Sequence, residues 1–121
     1  GGYGGAKRGF TPRAGYLVKD VGKEVPVYRG GNIVYDPRHF KNSLKDGVID
    51  PSLSKTPEGI SVNINPNDPN VLKYGGPNQI TSLPGGLEIV QSGPNPEHFV
   101  IRPKEKMSEE RFVELADRIN Q

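Results

Sequence analysis

The chain has no cysteine. That excludes disulfides and thiolate metal sites, and it leaves a fold that survives in either redox compartment. Apolar residues are scarce, at 32% of 121, and there are only two histidines. No apolar run approaches the roughly 20 residues of a membrane-spanning helix, and no signal peptide is visible. Neither sign of charge dominates: 16 Lys and Arg against 14 Asp and Glu leave a net +2. That balance permits nucleic-acid binding without demanding it. What the chain has in plenty is Gly, at 16, and Pro, at 12. At this length they imply one domain with a small core and abundant loops. The sequence does not open on Met, and it reads as a piece, the C-terminal end, of a longer protein.

Residues 1–20 are expected to form a flexible, basic, Gly-rich arm or linker, with Lys7, Arg8 and Arg13 able to lie on a polyanion. Residues 21–121 are expected to form the single domain. Val25–Arg29 reads as a strand stopped by Gly30-Gly31. Pro26 cannot donate to a ladder, so this strand belongs at an edge or starts there. Asp36 is placed to cap a short helix with Pro37 at its first position, closed by Gly47. Ile60–Ile64 alternates apolar with polar and is the clearest strand. A helical turn is expected through Val71, Leu72 and Lys73, and short strands over 79–83 and 87–91. The loop Ser92–Pro96 then leads into a strand over 97–102. Ser108 is a natural N-cap, with Glu109 and Glu110 in the first turn where the helix dipole favours anions. Phe112, Leu115, Ala116 and Ile119 then form one apolar stripe.

The expected architecture is α+β: a small twisted antiparallel sheet with the C-terminal helix packed on one face. Side chains alternate along a strand. The helix should therefore cover Ile60, Val62, Ile64, Leu87, Ile89, Phe99 and Ile101. Ser61, Asn63, His98 and Arg102 are left together on the uncovered side. A titratable imidazole and a permanent cation on one wet face suit an anionic ligand.

The residues narrow the chemistry by elimination. Two histidines without cysteine make a poor transition-metal set. The Asn65–Asn70 run lacks the glycine and closing glutamate of a calcium loop. The paired glycines at 30–31, 75–76 and 85–86 lack the lysine and hydroxyl residue of a phosphate loop and read as turns. What remains is acid–base work needing no metal and no cofactor. RNA fits that chemistry, because its own 2′-hydroxyl is the nucleophile. A base must take that proton, an acid must protonate the leaving 5′-oxygen, and a cation must steady the phosphoryl group. His98 is the candidate acid or base, since imidazole titrates near neutrality. Arg29 and Arg102 are the candidate phosphate grips, with planar forks that match a phosphate. Ser61, Tyr28 and Tyr74 are candidates to hold a proton or a phosphate oxygen, with Lys73 beside Tyr74 as a further substrate contact. His39 is expected in an exposed element without a chemical role.

Several segments resemble the toxin tips of bacterial polymorphic and contact-dependent growth inhibition systems. They are Val27-Tyr28-Arg29-Gly30-Gly31, Gly59-Ile60-Ser61-Val62-Asn63, Lys73-Tyr74-Gly75-Gly76, Leu83-Pro84-Gly85-Gly86-Leu87, and Glu97 to Pro103 with Met107-Ser108. The similarity runs over residues 25–119. It implies a domain exported as the tip of a larger bacterial protein, acting in the cytoplasm of a target cell and neutralised by a cognate immunity protein. Many such tips are ribonucleases with a barnase/colicin/RelE-like sheet, and several cut tRNA; a host factor that presents the RNA is left open. The second barnase-type acid–base residue is missing here. The rival resemblance is to ADP-ribosyltransferase toxins. There Arg29 would grip the NAD phosphates, Ser61 would support the nicotinamide pocket, and Glu88 or Glu97 would supply the late-strand carboxylate. A non-catalytic binding or immunity-type module is the third class.

Overall fold

A computed structural model describes residues 11–121. In chain order the elements are β1 (Tyr28–Arg29), β2 (Leu44–Lys45), β3 (Val48–Ile49), β4 (Ile60–Asn63), α1 (Pro69–Lys73), β5 (Asn78–Gln79), β6 (Leu87–Gln91), β7 (His98–Pro103), β8 (Met107–Ser108) and α2 (Glu109–Ala116). Short 3₁₀ turns occupy Pro37–Phe40 and Pro51–Leu53. The strands make two antiparallel sheets, one ordered β5-β1-β4-β7-β6 and a smaller one ordered β2-β3-β8. The class is α+β, with a C-terminal helix on the sheet.

The strands with the cleanest alternation form the centre. β4 pairs with β7 from Ile60↔Ile101 to Asn63↔His98, and β7 pairs with β6 from Leu87↔Pro103 to Gln91↔Phe99. That register stacks Ile60, Val62, Leu87, Ile89, Phe99 and Ile101 on one face, all buried in the core. Ser108 starts α2 by accepting the Arg111 N–H at 3.1 Å. Phe112, Leu115, Ala116 and, just past the helix, Ile119 are all buried against that face. Phe40 and Phe112 meet edge to face at 5.0 Å, with Tyr35 beside both. The Tyr35 hydroxyl donates to the Glu109 carboxylate at 2.6 Å, which ties the 3₁₀ segment to the helix start.

Four expectations differ from the structure. Gly47 closes no helix: after the 3₁₀ turn the chain makes the β2–β3 hairpin. Asp46 and Gly47 occupy its turn, with φ of 52° and 76°, the left-handed pair a tight hairpin requires. The strand read over Val25–Arg29 shortens to two residues and lies inside the sheet, between β4 and β5. Pro26 stands ahead of it, where no ladder bond is asked of it. The strand read over 79–83 stops at Gln79, because the Thr81 and Ser82 amides donate instead to the Asn120 Oδ1, at 2.6 and 3.3 Å. Finally, the stretch just before residue 21 is packed. Val18 is buried in the core, and Leu17 bridges to Val90 on the free edge of β6. The Gly15 amide donates to the Gln91 side chain at 3.0 Å. The remainder of the expected arm, 1–10, including Lys7 and Arg8, lies outside the described residues.

The face away from the core is not one open surface. Val90 and Val100 are buried on it, at 2% and 3% exposure. They divide it into two polar ends: Ser61, Asn63 and His98 at one, Glu88 and Arg102 at the other.

Candidate functional site

The site grows from the place where β1 stops. Its backbone pairs with β4 at Tyr28↔Asn63. Beyond that, Gly30-Gly31 turns the chain away, and a side chain takes over the ladder's work. Arg29 Nη1 donates to the Ser61 carbonyl at 2.7 Å, and Nε donates to the Asn32 carbonyl at 3.1 Å. The turn has to be glycine at its first position. A Cβ on Gly30 would stand 2.8 Å from the Asn70 carbonyl oxygen and 3.0 Å from the Val71 Cα. Without it, α1 seats directly on the end of β1. Asp68 starts α1, its carboxylate accepting the Asn70 and Val71 N–H groups at 3.0 and 3.4 Å.

Between α1, the ends of β1, β4 and β7, and the 92–95 loop lies a cavity of about 920 Å³. Tyr28, Arg29, Ser61, Asn63, Tyr74 and His98 line it, together with Asn32, Val34, Asp68, Asn70, Val71 and Ser92–Asn95. That size suits a small ligand or a segment of a larger one.

His98 is held at both nitrogens. Nδ1 lies 2.9 Å from the Ser92 carbonyl and Nε2 lies 3.1 Å from the Ser61 hydroxyl. A carbonyl can only accept, so Nδ1 carries a proton. In the neutral ring, Nε2 is then the lone-pair nitrogen and accepts from Ser61. In the charged ring, Nε2–H donates to the Ser61 oxygen. The imidazole can take or give a proton at Nε2 without turning.

The charge balance of the cavity favours an anion. Arg29 has no carboxylate partner among the described residues. Burial lowers its pKa from the ordinary value, yet a guanidinium keeps its charge at any pH a cell meets. The one carboxylate on the lining is that of Asp68, whose Oδ2 caps α1. His39 stands close enough to Arg29 to feel it. Burial first, and the Arg29 charge second, hold its pKa below the ordinary value. Its Nδ1 accepts the Asp36 N–H at 3.3 Å as half of a capping box, so its role is structural.

The structure thus brings Tyr28, Arg29, Ser61, Tyr74 and His98 to one cavity and leaves Arg102 and Lys73 off its wall. Arg102 shares the His98 face but sits four residues further along β7, roughly 13 Å at the strand rise. There it pairs with Glu88 at 2.9 Å, both side chains largely buried. The expected Arg102 phosphate contact is therefore corrected to a cross-strand ion pair. Lys73 stands over the Tyr74 ring, 5.4 Å from its centre, outside the lining. Tyr74 itself is 63% exposed, an aromatic face at the cavity mouth. Neither Glu88 nor Glu97 reaches the cavity: Glu97 accepts from Asn65, at 3.4 Å. No cluster of three His, Asp or Glu residues suited to a metal ion occurs among the described residues.

The sequence reading gives two contributors no role. Asn63, two places beyond Ser61 on the same face, lines the cavity, and alternation alone marks it as Ser61's companion. The Ser92 carbonyl that orients His98 comes from a loop and carries no signal in residue type. Comparison with protein-family models, with curated proteins and with solved structures finds no match to this chain.

Proposed function

We propose that this domain is a metal-independent ribonuclease of the toxin-tip kind, acting on tRNA, with His98 as its acid–base group and Arg29 as its phosphate grip. One observation carries the reading. An imidazole held with its exchangeable nitrogen at Ser61 shares a cavity with a guanidinium that lacks a carboxylate, and both are anchored on the same serine.

The reaction follows from that wall. The scissile phosphate takes the free side of the Arg29 guanidinium, whose remaining N–H groups suit phosphoryl oxygens. His98 Nε2 takes the proton of the 2′-hydroxyl, and that oxygen bonds to phosphorus. The bond to the 5′-oxygen breaks, and this oxygen collects a proton from solvent at the open mouth. The products are a 2′,3′-cyclic phosphate and a 5′-hydroxyl. Arg29 stabilises the charge that builds on phosphorus, and Tyr74 offers a flat face for a neighbouring base. The finer likeness to barnase, colicin and RelE-like sheets belongs to the same proposal. It is supported by the antiparallel sheet with its helix on one face. The cognate immunity protein and the export route belong to it as well.

The transferase reading keeps one favourable observation, the Arg29–Ser61 bond between neighbouring strands. It lacks a glutamate on the cavity wall. Incubating the domain with total tRNA in EDTA tests the first reading, and labelled NAD tests the second. Discrete tRNA fragments ending in cyclic phosphate are expected; intact tRNA with NAD-dependent labelling of a target would reverse the choice.

A further inference from the structure

The wall holds a buried donor that the reaction above does not use. Asn63 is only 5% exposed, yet it lines the cavity. Its Oδ1 accepts the Asn65 N–H at 2.7 Å, which fixes the orientation of the amide. The other half of the amide, the Nδ2 group, has no partner among the described residues. It is not sealed in the protein either, since no fully buried side-chain nitrogen or oxygen there is left unsatisfied. The small part of Asn63 that is open therefore faces the cavity. A side chain this buried, with its free donor presented to the cavity, is set up for a ligand acceptor.

The neighbours say which acceptor. Asn63 pairs directly across from His98 on one side and Tyr28 on the other. Ser61 is two residues away on the same face, and Arg29 follows Tyr28. Around this point the protein offers N–H groups from Arg29 and from Asn63, and the Asn63 carbonyl oxygen is turned away toward Asn65. The Asp68 carboxylate gives its Oδ2 to the first N–H groups of α1. A nucleobase edge mixes donors and acceptors and needs an acceptor in return. A phosphate presents acceptors alone.

We infer that the Asn63 Nδ2 group is a second phosphate donor, binding a non-bridging phosphoryl oxygen beside the one held by Arg29. This rests on the ribonuclease reading for its catalytic meaning, while phosphate binding itself does not depend on cleavage. In the reaction the donor is already in place where charge grows on the phosphoryl oxygens, so no reorganisation is required at that moment.

The test is an NMR titration of the wild-type domain that follows the Asn63 side-chain NH₂ signals, with inorganic phosphate, cytidine 3′-monophosphate and cytidine as probes. Both phosphates should move these signals and cytidine should not. Asn63→Ser keeps a hydroxyl acceptor for the Asn65 N–H and removes the NH₂ group. It should weaken the nucleotide about tenfold, a 1.4 kcal/mol loss, while its melting curve stays close to wild type. Equal shifts with cytidine would reassign the donor to a base and overturn the inference. So would phosphate binding that moves Arg29 signals and leaves Asn63 still. Should Asn63→Ser fold poorly, the wild-type titration decides alone. Cleavage of RNA with an unresponsive Asn63 sinks this inference and spares the ribonuclease. An Asn63 response to phosphate with uncut RNA does the reverse, and absence of both removes both.

Discussion

Arg29 and Ser61 meet where a strand ends: the guanidinium donates to the Ser61 carbonyl at 2.7 Å and so completes the edge of β4 that β1 leaves unpaired. The Ser61 hydroxyl, meanwhile, bonds to His98. The cation is thus set by the backbone of residue 61 and the imidazole by its side chain. Arg29 is both part of the sheet and part of the site, which makes its substitution informative in two ways.

Arg29→Lys should separate those roles. A lysine keeps the charge but lacks the planar fork that reaches two carbonyls at once. Cleavage of tRNA is expected to fall by about 10²–10³, with a stability loss of about 1–3 kcal/mol from the Ser61 and Asn32 carbonyls left behind. Initial rates and urea melts on one preparation check both. A lysine variant as active as wild type would mean that charge alone suffices.

His98→Ala removes the proposed acid–base group. The expected loss in rate is about 10²–10⁴, the usual worth of positioned proton transfer, with tRNA affinity little changed. Single-turnover cleavage against RNA binding measures the two separately. A variant that keeps most of its rate takes His98 out of the mechanism.

Arg102→Met should leave cleavage unchanged, because Arg102 is paired with Glu88 away from the cavity. Its cost is to folding, about 1–3 kcal/mol because the largely buried Glu88 carboxylate loses its partner, read from the midpoint of a urea titration. A rate loss comparable to that of Arg29→Lys would return Arg102 to the substrate path.

Glu58→Gln should show a pH-dependent defect. Burial disfavours the Glu58 charge, but the Ser43 hydroxyl and the amides of Asn42 and Ser43 outweigh it and hold its carboxyl below the ordinary glutamate value. A carboxyl that is more acidic folded than unfolded adds stability above its unfolded pKa. That stability is lost as pH falls through the folded pKa. At neutral pH the variant is expected to be about 1–3 kcal/mol less stable, and the gap should close on acidification. Denaturation series at neutral and strongly acid pH settle it; a constant gap would mean the charge is irrelevant.

The parts of the fold readable in advance were those where apolar spacing has one solution. β4, β6, β7 and the stripe of α2 follow from alternation and from a 3.6-residue repeat, and with them the shared face of Ser61 and His98. The β2–β3 hairpin was not readable, since a glycine after a short helix and a glycine in a hairpin turn look alike until Ile49 finds Met107 across the sheet. The interior place of β1 was hidden because Pro26 argues for an edge, whereas it stands ahead of the two residues that pair with β5. Within the site, strand residues could be assigned a face. Partners set by register, such as Glu88 for Arg102, and those set by a loop carbonyl, such as Ser92 for His98, could not.

Ser92 stands outside every strand, just where β6 gives way to its loop, and its own hydroxyl is tied to the Pro57 carbonyl. The tautomer of the His98 ring, on which the proposed reaction depends, therefore answers to a residue outside the strands. Ser92 is itself 4% exposed and its amide donates to the His98 carbonyl, so the segment that orients the ring is also fastened into the fold.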